Sequence, residues 1–458
     1  MQELAIRAPI RTGIVRCAIA GFCCGLLLPG CAWLGVRAQR EALQRFARVR
    51  GEVRADVRSE QPIIVVLLRQ AEPANALDPE TREPTYRIID HFPLAGAGRF
   101  GFAVTPGSFR LAAFVDENRN RSYDPGEPAL SSQPPFRLEP GETLDDIELV
   151  IPHDAALAEH YDIRALEART PRDPRNFSLG RFSVAGDVVD LADPRLGPAS
   201  GRLGLWRFVD FLFEVGPGVY FLDEYDADRI PVLFVHGMGG YPQEFATLIA
   251  ALDRDRFQPW VYFYPSGVRL ESVVWHLTDT IAELHLRHGF ASMAVVAHSM
   301  GGLVARAFIH QLGTRAADLD VPLFVSLSTP WAGSESAANV ERAPESIVVF
   351  SWLDMRPGSD FLEQLFYHPG EPARRHALSS RTQFHLLFGF RRDEHSFGPS
   401  SDGVISVQSQ ARREAVQEAR TVLPLDVDHA GILRSEEAAE ALRSLLLQRF
   451  EKRLWHAR

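Results

Sequence analysis

The second half of the chain alternates two kinds of apolar spacing. Short continuous apolar runs recur at Val232–Val235, 261–265 (VYFYP), 293–297 (MAVVA), 322–328 (PLFVSLS), 384–390 (FHLLFGF) and 421–425 (TVLPL). Runs of this length without polar alternation read as strands buried on both faces. Between them lie stretches of helical periodicity at 271–288, 301–312 and 435–450; in the first, Val273, Val274, Leu277, Ile281 and Leu284 share one side. Strand and helix in turn predict a mostly parallel sheet with helices on its faces. Residues 331–383 interrupt the alternation, and an insertion there is expected to form a lid over a pocket. It carries Trp331, Phe350, Trp352, Phe361, Leu362, Leu365, Phe366 and Tyr367, which suit an acyl-chain surface or plain packing.

The first half reads differently. From 51 to 152 short β-rich runs (GEVRADV, PIIVVLLR, TYRIIDHF, GRFGFAV, SFRLAAFVD, DIELVIP) are separated by Pro, Gly and Asp clusters. That rhythm predicts a small antiparallel β-sandwich. Residues 153–204 are polar and read as a connector, and 31–50 have helical spacing with many arginines, as in a membrane-proximal spacer or a short amphipathic helix near the membrane. The segment 204–226 is strongly aromatic; it suits either an acyl-chain or membrane-facing surface or packing onto the sheet. The resulting division is a leader at 1–30, spacer 31–50, β-sandwich 51–152, connector 153–204 and an α/β domain at 205–458.

The leader has Arg7, Arg11 and Arg16 ahead of an apolar run at 17–28. That run is shorter than the about 20 residues a bilayer-spanning helix needs. It ends in Leu28-Pro29-Gly30-Cys31, which resembles a bacterial lipobox. The resemblance implies cleavage before Cys31, lipidation of its sulfur with several acyl chains, palmitate among them, and a membrane anchor. Ala32 after the cysteine points by the same resemblance to the outer membrane of the cell envelope. The other cysteines, Cys17, Cys23 and Cys24, all fall in the leader, so the mature chain is expected to hold no disulfide. A net charge of −10, with no basic patch among aromatics, argues against a nucleic-acid binder.

Candidate chemistry centres on Ser299. It lies in Ala297-His298-Ser299-Met300-Gly301, between a predicted strand and a predicted helix. A serine on so tight a turn is held clear of the sheet, and the helix N-terminus behind it favours developing negative charge. The segment AHSMGG resembles the nucleophile turn of α/β-hydrolases, specifically bacterial lipases and esterases. A second piece, His236-Gly237-Met238-Gly239-Gly240 after the strand at 231–235, resembles their oxyanion loop. The resemblance implies that the amides of Met238 and Met300 hold the oxyanion. It also implies an acid and then a histidine, in that order, after the serine. His429 lies past the run 421–425, where this fold places its histidine; His395 is the runner-up, and His298 is too near the nucleophile to reach back. Asp402 in SSDGVISV resembles the acid loop, with Asp393 as the alternative; Asp426 and Asp428 are close enough to His429 to shape its turn instead. The segment SLSTPWAGS (326–334) resembles the Ser/Thr-Pro segment after the next strand in this branch of hydrolases.

These residues lead to the expectation of a carboxylic-ester hydrolase acting through an acyl-enzyme, with a lipid or ester substrate and no cofactor in the chemistry. An acyltransferase with the same residues and a non-catalytic envelope binding protein are the alternatives. One further loop stands apart. Asp116, Asn118, Asn120, Asp124 and Glu127 fall at the oxygen-ligand spacing of a calcium loop. Arg121 occupies the position where a calcium loop has glycine. A structural calcium ion and a hydrogen-bonded Asx turn are both consistent with it.

Overall fold

The computed structural model describes residues 31–55, 61–71, 85–131, 135–153, 178–316, 318–338, 348–391 and 400–451. The leader at 1–30, and with it Arg7, Arg11 and Arg16, lies outside these residues, as do Asp393 and His395. No described helix is long and apolar enough to cross a membrane.

Among the described residues the first element is helix α1 (Cys31–Leu43). Eight strands follow: β1 (Ala47–Ala55), β2 (Ile63–Gln70), β3 (Tyr86–Leu94), β4 (Gly98–Val104), β5 (Gly107–Val115), β6 (Ala129–Ser131), β7 (Phe136–Leu138) and β8 (Thr143–Ile151). They form two sheets, β4-β1-β8 and β3-β2-β5-β6, with β7 on the edge of β5. Val49, Val53, Phe100 and Phe102 of the first sheet pack on Val65, Leu67, Phe92 and Leu111 of the second. The sandwich is not wholly antiparallel, because β1 and β8 run parallel. These two strands stand at opposite ends of the β-rich segment, and a strand that closes a sandwich from so far along the chain is not bound by hairpin geometry.

The remaining chain begins with α2 (Leu179–Phe182), β9 (Val184–Val188), α3 (Pro198–Trp206), α4 (Phe208–Glu214), β10 (Gly218–Phe221), β11 (Ile230–Val235), α5 (Ala246–Ala250) and β12 (Phe257–Phe263). It continues through α6 (Leu270–His288), β13 (Ser292–His298), α7 (Met300–Arg315), β14 (Asp320–Leu327), α8 (Glu335–Ala338), α9 (Phe350–Asp354) and α10 (Asp360–Gln364). The last elements are β15 (Tyr367–His368), β16 (Glu371–Arg375), β17 (Gln383–Phe390), α11 (Val407–Gln410), α12 (Arg413–Glu418), β18 (Thr421–Asp426) and α13 (Glu436–Phe450).

Eight strands make one sheet in the order β18-β17-β14-β13-β11-β12-β10-β9. It is parallel from β12 to β18, and β10 pairs antiparallel with β12. Helices α6 and α7 cover one face through Leu277, Ile281, Leu303 and Phe308, and α5 and α13 cover the other through Leu248, Leu442 and Leu446. Layers on both faces explain why β11 and β13 are apolar throughout. This is the α/β-hydrolase architecture. The stretch expected to be a connector, 153–204, supplies the edge strand β9, whose apolar residues are too few to announce a strand alone. The aromatic segment 204–226 is mainly packing, since Phe208, Phe211, Tyr220 and Phe221 are buried. In the insertion 331–383, Trp331, Leu362, Leu365 and Phe366 are core residues, whereas Trp352, Phe361 and Tyr367 are partly open.

The β-rich part rests on α6. Trp275 stacks on Phe92 with ring centroids 5.5 Å apart, and Glu283 meets His91 at 3.0 Å and Arg121 at 2.5 Å.

Candidate active site

Ser299 joins β13 to α7 with φ 53° and ψ −130°, a conformation L-residues seldom adopt. Its amide donates to the Leu327 carbonyl at 2.8 Å, which ties the turn to the neighbouring strand. The flanking small residues have a steric reason. A Cβ on Gly301 would sit 2.3 Å from the Val235 oxygen and 2.4 Å from the His236 oxygen. Helix α7 can therefore approach β11 only if residue 301 has no side chain.

His429 follows β18, and its Nε2 lies 2.9 Å from Ser299 Oγ. Its Nδ1 lies 2.7 Å from Asp402 Oδ2. A carboxylate only accepts, so Nδ1 carries the proton and Nε2 is the acceptor for the serine hydroxyl. Asp402 is fully buried. Its Oδ1 accepts from the amides of Val404 (2.9 Å) and Ile405 (2.8 Å), which fixes the carboxylate plane. The His429 amide donates to the Asp402 carbonyl at 3.0 Å, so backbone as well as side chain holds the pair. Asp428 instead accepts from the Gly431 amide at 2.6 Å and shapes the turn after His429.

His298 has a part that its nearness to the nucleophile concealed. Its Nε2 donates to the His429 carbonyl oxygen at 2.9 Å, linking the nucleophile strand to the histidine loop. Burial, then the neighbouring His429, holds its pKa well below the ordinary value, so it is a neutral donor. His236, at the end of β11, is stacked on Tyr264 with centroids 4.2 Å apart, and burial lowers its pKa to about 4. Its carbonyl accepts from the Tyr264 hydroxyl at 2.7 Å, and the Gly239 amide donates to Ser266 Oγ at 2.8 Å. The loop 236–240 is thus held at both ends. It passes close to the nucleophile, since a Cβ on Gly237 would come within 2.8 Å of the Ser299 Cβ. Met300 opens α7, so its amide is one of the first-turn donors that lack a helical acceptor. Met238 is touched from the insertion: Trp352 Nε1 lies 2.9 Å from its sulfur, and Trp206 meets Trp352 edge-on at 5.8 Å. Glu244 lies behind the loop; burial raises its carboxyl to about 8, and its Oε1 has no partner among the described residues. The sequence hides these contacts because Trp352 and Glu244 belong to no motif.

The structure therefore brings Ser299, Asp402 and His429 into one hydrogen-bonded line, with Met238 and Met300 on the two segments flanking the serine. The loop with calcium spacing lies elsewhere, in the β-rich part. There Asp124 Oδ2 accepts from the side-chain amides of Asn118 (2.7 Å) and Asn120 (2.6 Å). Asp116 accepts from the amides of Asn120 and Arg121, each at 3.0 Å, and Glu127 from those of Glu117 and Asp124, each at 2.9 Å. Asn118 Oδ1 accepts from the Asn120 amide at 3.0 Å and Asn120 Oδ1 from the Ser122 amide at 2.8 Å, which are Asx-turn contacts. Among the described residues no three His, Cys, Asp or Glu side chains are grouped to hold a metal.

Residues 271–343, which span α6, β13, the Ser299 turn and β14, match the family described as lecithin:cholesterol acyltransferase. The match covers less than half of the chain. Among solved structures, the mature lipase BlEst2 of Bacillus licheniformis is similar at 17% identity and a TM-score of 0.38, over 50% of this chain and 97% of that one. An esterase from Thermogutta terrifontis is similar at 17% identity and a TM-score of 0.34, over 51% and 95%. The phospholipase PlaB of Legionella pneumophila is similar at 18% identity and a TM-score of 0.31, over 40% and 45%. No curated protein matches the chain.

Proposed function

We propose that the protein is a serine hydrolase that cleaves carboxylic esters. The observation that carries this is the line from Asp402 Oδ2 through His429 to Ser299 Oγ, with contacts of 2.7 and 2.9 Å. Ser299 Oγ attacks the acyl carbon while its proton passes to His429 Nε2. The carbonyl oxygen takes up the negative charge and is met by the amides of Met238 and Met300. The protonated His429, stabilised by Asp402, returns the proton to the leaving alkoxide, and an alcohol departs. Water then attacks the acyl-enzyme, with His429 again taking a proton, and the carboxylic acid leaves as Ser299 is restored. None of these steps requires a metal or a cofactor.

The partly open Met238, with Trp352 on its sulfur and Trp206 against Trp352, suits an apolar acyl group. A lipid on Cys31, at the head of α1, would hold this chemistry at a membrane surface of the cell envelope. The match to an acyltransferase family supports a second reading, in which an alcohol replaces water in the last step. Hydrolysis of p-nitrophenyl esters of graded acyl length, beside Ser299→Ala, tests the first reading. Turnover is expected to disappear in the variant, and equal turnover by both proteins refutes it. Ester products formed when alcohols are added distinguish the second.

A further inference from the structure

Helix α1, in the segment expected to be a membrane-proximal spacer or short amphipathic helix, packs against α4 and reaches the start of α9. Gln39 Oε1 accepts from the amides of Val209 (2.8 Å) and Asp210 (3.2 Å), two of the first-turn donors of α4, and its Nε2 donates to Asp210 Oδ2 at 2.9 Å. Val36 is buried, and Ala42 and Leu43 pack with Phe208, Val209 and Leu212. Arg40 reaches further. Its Nη1 donates to the Val348 carbonyl at 2.8 Å, and its guanidinium lies 4.3 Å from the centre of the Phe350 ring.

Phe350 begins α9, and two residues on stands Trp352, whose Nε1 meets the Met238 sulfur. Helix α9 has 5 residues, far too short to hold its own place. Its far end is fixed to α6, where Asp354 accepts from Arg269 Nη1 at 2.6 Å and from the Leu270 amide at 2.8 Å. Its near end is fixed by the Phe350 amide, which donates to the Gly267 carbonyl at 3.0 Å, and by Arg40.

We propose that α1 is a strap that positions the oxyanion loop, with Arg40 as its positioning residue. Arg40 holds the start of α9, α9 holds Trp352 on Met238, and Met238 carries one of the two amides assigned to the oxyanion. The inference rests on the ester-hydrolase reading. It differs from a plain stabilising role because an oxyanion donor acts only when the carbonyl oxygen has become charged. Loosening the strap therefore weakens the transition state more than substrate binding.

The test uses the full chain, with Arg40→Ala and Arg40→Lys, and reads kcat and KM for p-nitrophenyl butyrate. It also reads the affinity of an alkyl boronic acid, which forms a tetrahedral adduct on the serine. Arg40→Ala is expected to lower kcat about tenfold, a fraction of the loss on deleting a donor outright. KM should stay within about twofold, and boronate affinity should fall by the same factor as kcat. Arg40→Lys should recover part of the loss, because lysine can reach the Val348 carbonyl but lacks the planar face for Phe350. Wild-type kcat in Arg40→Ala, or a lower kcat with unchanged boronate affinity, overturns the strap. If Arg40→Ala does not fold, Trp352→Phe decides: it keeps an aromatic side chain, removes the indole N–H, and should show the same parallel loss, whereas wild-type kcat overturns the proposal. A wild-type protein that neither turns over esters nor binds the boronate removes the enzyme reading and the strap with it. An active wild type equalled by both variants removes the strap alone.

Discussion

Replacing Asp402 by asparagine isolates one charge and one proton in the proposed mechanism. Asp402 Oδ1 receives the amides of Val404 and Ile405. In Asp402→Asn those two donors keep the amide oxygen in place, so the new NH2 must point at His429 Nδ1. A donor there forces Nδ1 to give up its proton, and Nε2 becomes the protonated nitrogen. It then donates to Ser299 Oγ and has no lone pair with which to accept the serine proton. The electrostatic part is also large. A carboxylate and an imidazolium about 4 Å apart between charge centres, at an effective dielectric constant of about 20, attract by about 4 kcal/mol. Each 1.36 kcal/mol or so is tenfold in rate, so the lost charge alone accounts for about a thousandfold. With the wrong tautomer added, kcat for p-nitrophenyl butyrate should fall about 10³- to 10⁴-fold. KM should change little, and the thermal midpoint should stay near wild type because asparagine preserves the Val404 and Ile405 bonds. Activity within tenfold of wild type refutes the reasoning, because some other carboxylate must then serve His429.

Two further outcomes follow from the same neighbourhood. Glu244 keeps its proton in the folded protein up to about pH 8, whereas its ordinary value is 4.5. The folded state thus binds more protons between these values, and its stability falls as pH rises through that window. Glu244→Gln should narrow the drop in melting temperature between about pH 5 and about pH 8; an unchanged drop in thermal melts removes the assignment. Gly301→Ala places a Cβ 2.3 Å from the Val235 oxygen, so α7 must move and Ser299 with it. A displacement of about 1 Å there should lower kcat about a hundredfold, and a wild-type kcat contradicts the close-packing argument.

Much of this architecture was legible because it depends on local spacing. The continuous apolar runs at 231–235 and 293–297 mark strands covered on both faces, and the sheet contains both. The turn at Ser299 was legible because its geometry demands small neighbours. Asp402 and His429 lie far from it in sequence; the order of the loops, and for Asp402 the resemblance of SSDGVISV to an acid loop, pointed to them, and the sheet carries both loops to the serine. Contacts between segments with no shared rhythm were not legible. Glu283 belongs to no motif, and it is buried against His91 and Arg121 of the β-rich part. Trp352 reads as one aromatic among many in an insertion, and Arg40 as one arginine in a basic spacer. The parallel pairing of β1 with β8 and the edge strand β9 escape notice for the same reason.

The seam at Glu283 bears on how the protein can be divided. Burial alone favours the neutral acid, yet His91, Arg121 and Arg287 together hold its carboxylate well below the usual range. Two of those three partners, His91 and Arg121, come from the β-rich part. Cutting the chain between the halves would strand a buried anion with Arg287 as its remaining counter-ion among the three, and breaking such a buried set typically costs about 3–5 kcal/mol. That is a large share of what a folded chain has to spare. The sandwich is therefore less a detachable module than a lid on a charge: excision would leave the α/β body with an otherwise buried anion exposed at α6, and the two parts should melt as one.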